Sequence, residues 1–188
     1  RPARWTISTQ SQFLEGEFNG VSVTSDGKLV LAPALKSMTD TGEAYVYATV
    51  IDRAGNLYLG SGNNGKIFRV NPDGEQTLWT TMDRPGVYAL AVDSQNQIYA
   101  ANGPNAKVYR LDGQGNPKLF FDPQQRYIWS LLVDKTNNLL VGTGPNGVIY
   151  KVTPEGRSEV FYDSKESHIV TLEWDLEDNL LAGTAPGG

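Results

Sequence analysis

The chain has 188 residues, 39% of them hydrophobic and 20% charged, a length that fits one domain or part of a larger one. Its formal net charge of −5 disfavours a nucleic-acid partner, because such a partner needs a basic face. The absence of cysteine excludes disulfides and cysteine-ligated metals, and the single histidine excludes a multi-histidine metal site. No apolar run approaches the ~20 residues of a membrane-spanning helix.

Residues 1–44 form an N-terminal segment that differs in pattern from the rest of the chain. The runs VSVT and KLVLA flank Ser25-Asp26-Gly27, and two strand-like runs around an Asp-Gly pair predict a β-hairpin. The stretch LKSMTDTGEA then connects this hairpin to a repetitive region, which we assign to residues 45–188.

The repetitive region has a period of 41 residues, marked by an aspartate that recurs without a gap as Asp52, Asp93, Asp134 and Asp175. The units are residues 45–85, 86–126, 127–167 and 168–188, the last being about half a unit. Tandem repeats of this length indicate one supersecondary unit that stacks against copies of itself.

Each complete unit contains four short runs rich in Val, Ile, Leu, Tyr and Phe, such as VYALAVD, NQIYAA, AKVYRL and PKLFF in the second unit. Asp, Asn, Gly and Pro separate the runs, and these residues favour tight turns. No window has the periodicity of an amphipathic helix. The sequence therefore predicts an all-β fold, a β-propeller or part of one, made of four-stranded antiparallel blades.

Aromatic residues recur at three positions of the unit. The first position holds Tyr47, Tyr88, Trp129 and Val170, the second Phe68, Tyr109 and Tyr150, and the third Trp79, Phe120 and Phe161. Because neighbouring blades cover each other's faces, we expect all three sets to fill the space between blades.

The fourth unit stops before its third strand, and two explanations remain open. Either the N-terminal hairpin supplies the missing strands of a four-bladed ring, or the chain is the leading part of a larger propeller. We favour the larger propeller, because four blades lie at the low end of the ~4–8 that propellers contain.

The turns and packing positions of the unit resemble a known repeat. The pattern VxxLxVDxxGNLYxGTxxxGxIYRVxPxG is carried in the first unit by residues 50–58, 66–70 and 72–74, and by their equivalents in the later units. It resembles the NHL, SMP-30/streptogramin-lyase-like and two-component-regulator propeller repeats. It is most similar to bacterial WD40-like or NHL-like propeller proteins that are usually exported.

The N-terminal segment supports this resemblance through Phe13, Gly16-Glu17-Phe18 and Ser25-Asp26-Gly27. The resemblance covers residues 12–188 and concerns turns and packing positions, so it describes the fold rather than an activity. It implies an extracytoplasmic bacterial protein, periplasmic or secreted, with a binding or scaffold role.

Two motifs in the units suggest chemistry but have a structural explanation. Residues 60–65 and 142–147 read G-x-G-x-x-G, yet a dinucleotide site needs a helix after that loop, and a strand comes next here, which predicts a hairpin loop. The recurring aspartate could form a ring of carboxylates for a cation. Its fixed place before each first turn instead predicts that it caps the turn.

Histidine and glutamate provide the candidates for a metal or catalytic site. His168 opens the first strand of the fourth unit, and Glu173 is the acidic residue on that strand where the other units have Val50, Ala91 and Leu132. The streptogramin-lyase resemblance implies a catalytic histidine near a divalent metal, and the SMP-30 resemblance implies Glu, Asn and Asp around a metal in a central funnel. We assign no catalytic residue and no cofactor, and keep Glu173 as a metal candidate.

The connections between units break the repeat and are the preferred place for binding, because loops on a rigid scaffold carry recognition. They contain Arg84, Arg126, Tyr127 and His168, residues with the charge and aromatic area of binding hot spots. We expect a non-catalytic interaction or scaffold module that binds a protein or an extended ligand, or that joins a larger assembly, through these rim loops. The alternative is a metal-assisted hydrolase or lyase with a central funnel site.

Overall fold

The structure is a computed structural model that describes residues 9, 11, 15, 19–32 and 37–187. It divides into two compact units, Arg1–Met38 and Thr39–Gly188, which are described separately. The Phe13 and Gly16-Glu17-Phe18 matches lie outside the described residues.

The predicted N-terminal hairpin is present. Strand β1 (Val21–Val23) pairs antiparallel with β2 (Leu29–Leu31), and the turn between them contains Gly27 at φ 80°. A glycine suits this turn because a side chain at positive φ is strained. Thr24 closes the turn by accepting a hydrogen bond from the backbone N–H of Lys28 at 3.0 Å.

The second unit consists of strands, as predicted, and is built from four sheets that we call blades. Blade 1 contains β3 (Val46–Ile51), β4 (Leu57–Ser61), β5 (Lys66–Val70) and β6 (Gln76–Thr81). Blade 2 contains β7 (Gly86–Val92), β8 (Ile98–Gly103), β9 (Lys107–Leu111) and β10 (Pro117–Phe121). Blade 3 contains β11 (Tyr127–Val133), β12 (Leu139–Gly144), β13 (Val148–Val152) and β14 (Ser158–Asp163), and blade 4 contains β15 (His168–Trp174) and β16 (Leu180–Ala185).

The strands within each blade are antiparallel and follow chain order. The first strand of each blade lies beside the first strand of the next, so that β3, β7, β11 and β15 form a series. Neighbouring blades enclose apolar cores. The core between blades 1 and 2 contains Ala48, Tyr58, Ile67, Val87, Leu90 and Ile98, and the core between blades 2 and 3 contains Ala89, Tyr99, Val108, Ile128, Leu139 and Val141.

The recurring aspartates cap the first turn of each blade, as predicted. Asp52 accepts hydrogen bonds at Oδ1 from the backbone N–H groups of Ala54 and Asn56, both at 2.9 Å. The carboxylate therefore satisfies the amides that the turn leaves without a strand partner. Asp93, Asp134 and Asp175 accept the same pair of hydrogen bonds in their own blades.

Neighbouring first turns are also joined to each other. The side-chain oxygen of Asn96 accepts a hydrogen bond from the backbone N–H of Arg53 at 3.1 Å, and Asn137 accepts one from Ser94 at 3.0 Å. Both asparagines have φ near 63°, a conformation that Asn tolerates better than most residues. The turns thus form a linked series along one edge of the blades.

Candidate functional site

The blades present two rims, because antiparallel strands place alternate connections at opposite ends. One rim, called here the upper rim, carries loops 62–65, 104–106 and 145–147 and the connections between blades, residues 82–85, 122–126 and 164–167. The lower rim carries the aspartate-capped turns. The G-x-G-x-x-G segments form hairpin loops of the upper rim between two strands, with no helix after them, as predicted.

The first strand of every blade contains a β-bulge at the same position near the upper rim. The pairing shifts between Val46 and Ala48, between Val87 and Ala89, between Ile128 and Ser130, and between Ile169 and Thr171. The residue that the shift leaves out of the ladder is Tyr47, Tyr88, Trp129 or Val170. A bulge re-aims one side chain and often lies next to a binding site.

The bulged aromatics contact one another from blade to blade. Ring centroids are 5.7 Å apart for Tyr47 and Tyr88, 5.5 Å for Tyr88 and Trp129, and 5.9 Å for Trp129 and His168. Tyr45 stacks on Tyr47 at 5.9 Å, and Tyr127 stacks on Trp129 at 4.6 Å. We call this set the aromatic row; its members are Tyr45, Tyr47, Tyr88, Tyr127, Trp129 and His168.

The bulged residues correct the prediction that the first aromatic position fills the space between blades. Tyr47 is 51% exposed and Val170 is 47% exposed, while Tyr88 and Trp129 are half-buried. The physical reason is the bulge, which takes these side chains out of the inter-blade faces. At the other two aromatic positions, Tyr109, Tyr150, Trp79 and Phe120 pack against the cores between blades, as predicted. Phe68 packs within blade 1 instead, and Phe161 is 49% exposed on β14, so for these two residues the prediction is wrong.

Glycines where the second strand of each blade meets the upper rim provide the space for the rings. A Cβ at Gly62 would lie 2.6 Å from the Tyr47 ring, and one at Gly103 would lie 2.7 Å from the Tyr88 ring. A Cβ at Gly144 would lie 2.1 Å from Nδ1 of His168. Real Cβ atoms do not approach other atoms so closely, so a side chain at any of these three positions, one unit apart, would force the neighbouring ring to move.

One member of the row is held in one tautomer by its neighbour. The indole Nε1–H of Trp129 donates a hydrogen bond to Nδ1 of His168 at 3.0 Å. Only a neutral imidazole with its proton on Nε2 can accept there, so the bonded form of His168 keeps Nε2–H as a donor for another group.

The phenol of Tyr88 is held in its donor form as well. Burial raises the pKa of Tyr88, and the neighbouring phenols of Tyr47 and Tyr127 raise it further. The hydroxyl therefore stays protonated through the physiological range and offers a hydrogen-bond donor within the row.

The rim residues predicted from the sequence fall into two places. Tyr127 and His168 belong to the aromatic row, and the exposed Arg126 guanidinium lies 5.2 Å from the centroid of the Tyr127 ring, within cation–π range. Arg84 is exposed next to Asp83, near the phenol of Tyr109. Burial and the Asp83 charge raise the pKa of Tyr109, and they outweigh the opposing effect of the Lys107 and Arg84 charges. The aromatic row itself was missed, although the recurring pairing of an aromatic residue with a glycine could have indicated it.

Glu173 and His168 do not meet in one metal site. They lie five residues apart on β15, which separates them by roughly 16 Å along a strand. Glu173 is exposed and accepts a hydrogen bond from the backbone N–H of Trp174 at 3.0 Å. Among the described residues, no group of three or more His, Asp or Glu side chains is placed to hold a metal ion.

Comparison with solved structures identifies the architecture. Virginiamycin B lyase from Staphylococcus aureus superimposes with a TM-score of 0.67 over 86% of this chain and 55% of that chain, at 18% identity. The fold is that of a β-propeller. A chain of the nidogen/laminin complex (TM-score 0.67, 15% identity, 74% of this chain and 57% of that one) and a proposed gluconolactonase (0.62, 15%, 86% and 62%) have the same architecture.

These likenesses agree with the predicted resemblance to streptogramin-lyase-like and SMP-30-like propellers, and at this identity they establish the fold alone. The propeller described here spans a little over half the length of the virginiamycin B lyase chain. No family model and no curated protein matches the sequence. The part of the chain that the structure describes contains no long apolar helix of the kind that spans a membrane.

Proposed function

We propose that the aromatic row is a binding surface for a protein segment or another extended ligand. The observation that carries this proposal is the continuity of the row: rings from four consecutive blades follow one another at centroid steps of 5.5 to 5.9 Å. A large, rigid aromatic surface that is only half-buried offers contact area at little cost in side-chain entropy.

The row combines two kinds of contact. Its ring faces suit apolar, aromatic or proline side chains of the ligand, and its polar groups suit backbone carbonyls. The Tyr88 hydroxyl and the Nε2–H of His168 are both donors, so a peptide-like ligand that offers acceptors next to apolar groups fits the row best. The nidogen/laminin complex supports this function in general terms, since there a propeller takes part in a protein complex.

The test is selection of linear peptides from a displayed library on the immobilised protein, followed by affinity measurements with the variants Tyr88→Ala and Trp129→Ala. Each variant should weaken the selected peptides by tenfold or more, because aromatic hot-spot residues contribute about 2 kcal/mol or more. Tyr162→Ala is the matched control, since Tyr162 is exposed on the outer strand β14. Equal losses for all three variants, or none, would contradict the proposal.

A second candidate is metal-assisted lyase or hydrolase activity. It is favoured by His168, the single histidine of the chain. One of the similar solved structures is a virginiamycin B lyase with quinupristin, in which the replacement of a histidine by alanine gives a catalytically inactive enzyme. Incubation with quinupristin and Mg²⁺, Ca²⁺ or Zn²⁺ tests it. Turnover that His168→Ala abolishes would support the lyase over the binding module.

A location outside the bacterial cytoplasm stays a prediction from the resemblance, which cell fractionation would test.

A further inference from the structure

A groove of about 690 Å³ opens on the lower rim, at the opposite end of the first strands from the aromatic row. It crosses the first turns of all four blades, with Arg53 from blade 1, Ser94 from blade 2, Asn137 from blade 3 and Trp174 from blade 4 on its walls. Its size falls within the range of small-molecule sites, which is about 300–1,000 Å³.

The floor of the groove is apolar and fixed. It is formed by Val92, Val133 and Trp174, which occupy equivalent positions at the ends of three neighbouring first strands. The indole Nε1–H of Trp174 donates a hydrogen bond to the backbone carbonyl of Val133 at 3.1 Å, which links blade 4 to blade 3. The half-buried indole therefore offers a ring face in a set orientation.

The negative charges of the carboxylates that line the groove are already offset by hydrogen-bond donors or by a cation of the protein. Asp93 accepts hydrogen bonds from two backbone N–H groups of its own turn and from the Tyr99 hydroxyl at 3.3 Å. Asp134 accepts the equivalent amides and lies 3.5 Å from the ammonium of Lys151.

The remaining acid, Asp178, forms an ion pair with Lys135 across the gap between blades 3 and 4. Each of the three acids in the groove thus has a partner that offsets its charge or occupies its lone pairs.

Arg53 is the exception among the charged groups of the groove. Its backbone is fixed by the bond to Asn96, but within the described part of the chain its guanidinium has no ion-pair, hydrogen-bond or ring partner. Ser94 and Asn137 line the same groove, and their side chains carry a hydroxyl and an amide nitrogen, which are donor groups. Among the described residues, the charged group of the groove without a partner is therefore a cation, beside an apolar floor.

We propose that this groove binds a small carboxylate with an aromatic or branched apolar body. Arg53 pairs with the carboxylate in a charge-assisted contact, and the body of the ligand packs on Trp174, Val92 and Val133. Because the chain carries a net charge of −5, its overall field does not attract an anion, and the affinity must come from these local donors. The site is separate from the aromatic row and does not depend on the function proposed for it.

The experiment uses phenylacetate as the probe and phenylacetamide as its uncharged counterpart. Binding is followed by NMR through the indole N–H signal of Trp174, which Trp174→Phe identifies. Phenylacetate should shift this signal saturably, and phenylacetamide should bind at least tenfold more weakly, since a hydrogen bond to a charged group contributes about 1.5–3 kcal/mol.

Arg53→Gln should raise the dissociation constant of phenylacetate about tenfold. Arg157→Gln is the matched control, because Arg157 is an exposed arginine on another turn of the same rim and the change in net charge is equal. The proposal is overturned if no saturable shift occurs, if the amide binds as well as the acid, or if the two arginine variants behave alike. Trp129→Ala, in the aromatic row, should leave phenylacetate binding unchanged.

Discussion

Trp129 and His168 are joined by a hydrogen bond of 3.0 Å between the indole Nε1 and the imidazole Nδ1, which connects the first strand of blade 3 to that of blade 4. The two rings meet edge to face, with an interplanar angle of 69°. The bond fixes the orientation of both rings at the end of the aromatic row where the polar donor lies. A substitution at either residue should therefore alter the orientation of the remaining ring of the pair.

His168→Ala should release the indole proton of Trp129. The bond contributes about 1 kcal/mol, so hydrogen exchange of this proton should become several-fold faster in the variant. NMR exchange on the indole signals measures it. The Trp174 indole is the internal control, because it donates to the Val133 carbonyl and should keep its rate. An unchanged rate for Trp129 would show that the bond does not persist in solution.

Gly144→Ala should disturb the same pair by steric contact. The new Cβ would lie 2.1 Å from Nδ1 of His168 and 2.8 Å from Nε1 of Trp129, so at least one ring must move, at a cost of about 1–3 kcal/mol. Urea unfolding measures the loss of stability, and the selected peptides measure the loss of binding. Gly113→Ala is the control, because a Cβ there meets nothing within 4 Å. Equal effects of the two alanines would contradict this account of the glycine.

The sequence predicts the blades and their turns because these features are local. An aspartate that bonds the amides two and four residues further on needs no tertiary information, and the 41-residue spacing of Asp52 and Asp93 therefore defines the units. The hairpin around Ser25-Asp26-Gly27 is predictable for the same reason.

The aromatic row is less predictable because it depends on a bulge. Strict alternation would place Val87 on the same face as Ala89 and Ala91, yet Val87 packs towards blade 1 with Leu90, while both alanines pack towards blade 3. Tyr88 is the residue at which the faces exchange. The recurring pairing of an aromatic residue with a glycine indicates a close contact between a ring and the backbone, but not the exchange of faces, and the contacts between rings of different blades appear only in the folded chain.

The hydrogen bond from the Arg53 backbone N–H to Asn96 predicts that Asp and Ala variants of Asn96 differ in their free energy of unfolding. Asn96 combines a positive φ of 63° with a side-chain oxygen that accepts from the Arg53 N–H. Asn96→Asp keeps both properties and should change the free energy of unfolding by less than about 0.5 kcal/mol. Asp178, at the equivalent place in blade 4, adopts the same backbone conformation with a φ of 66°.

Asn96→Ala loses the acceptor and puts at positive φ a residue that tolerates this conformation less well than Asn does, so it should cost about 1–3 kcal/mol. Thermal and urea unfolding of the two variants give the comparison. Identical stabilities of the Asp and Ala variants would mean that neither the bond between the turns nor the backbone conformation contributes to stability.

The turn aspartates predict a loss of stability in acid. Burial opposes the charged form of Asp52 and would raise its pKa, but hydrogen bonds from Asn56, Ala54 and Tyr58 outweigh burial, and the net pKa is lowered. The ordinary value in an unfolded chain is about 3.9. The folded state therefore binds fewer protons than the unfolded state in this range, so the stabilisation is present above pH ~4 and disappears as the pH falls through the folded pKa.

Urea unfolding at pH values between about 6 and 2.5 should show this decrease in the free energy of unfolding. Asp52→Asn should lower the free energy of unfolding near neutral pH. It should also reduce the dependence on pH, because the variant has no carboxylate to protonate at this position. Asp112→Asn provides the comparison. Hydrogen bonds from Asn116 and from the Gln114 amide lower the pKa of Asp112 in a turn of the same form, but this aspartate is exposed. Its loss should therefore cost less than the loss of the buried Asp52, since solvent screens exposed charges. A larger effect at Asp112, or a stability of the wild-type protein that is constant down to pH ~2.5, would contradict the role assigned to the capped turns.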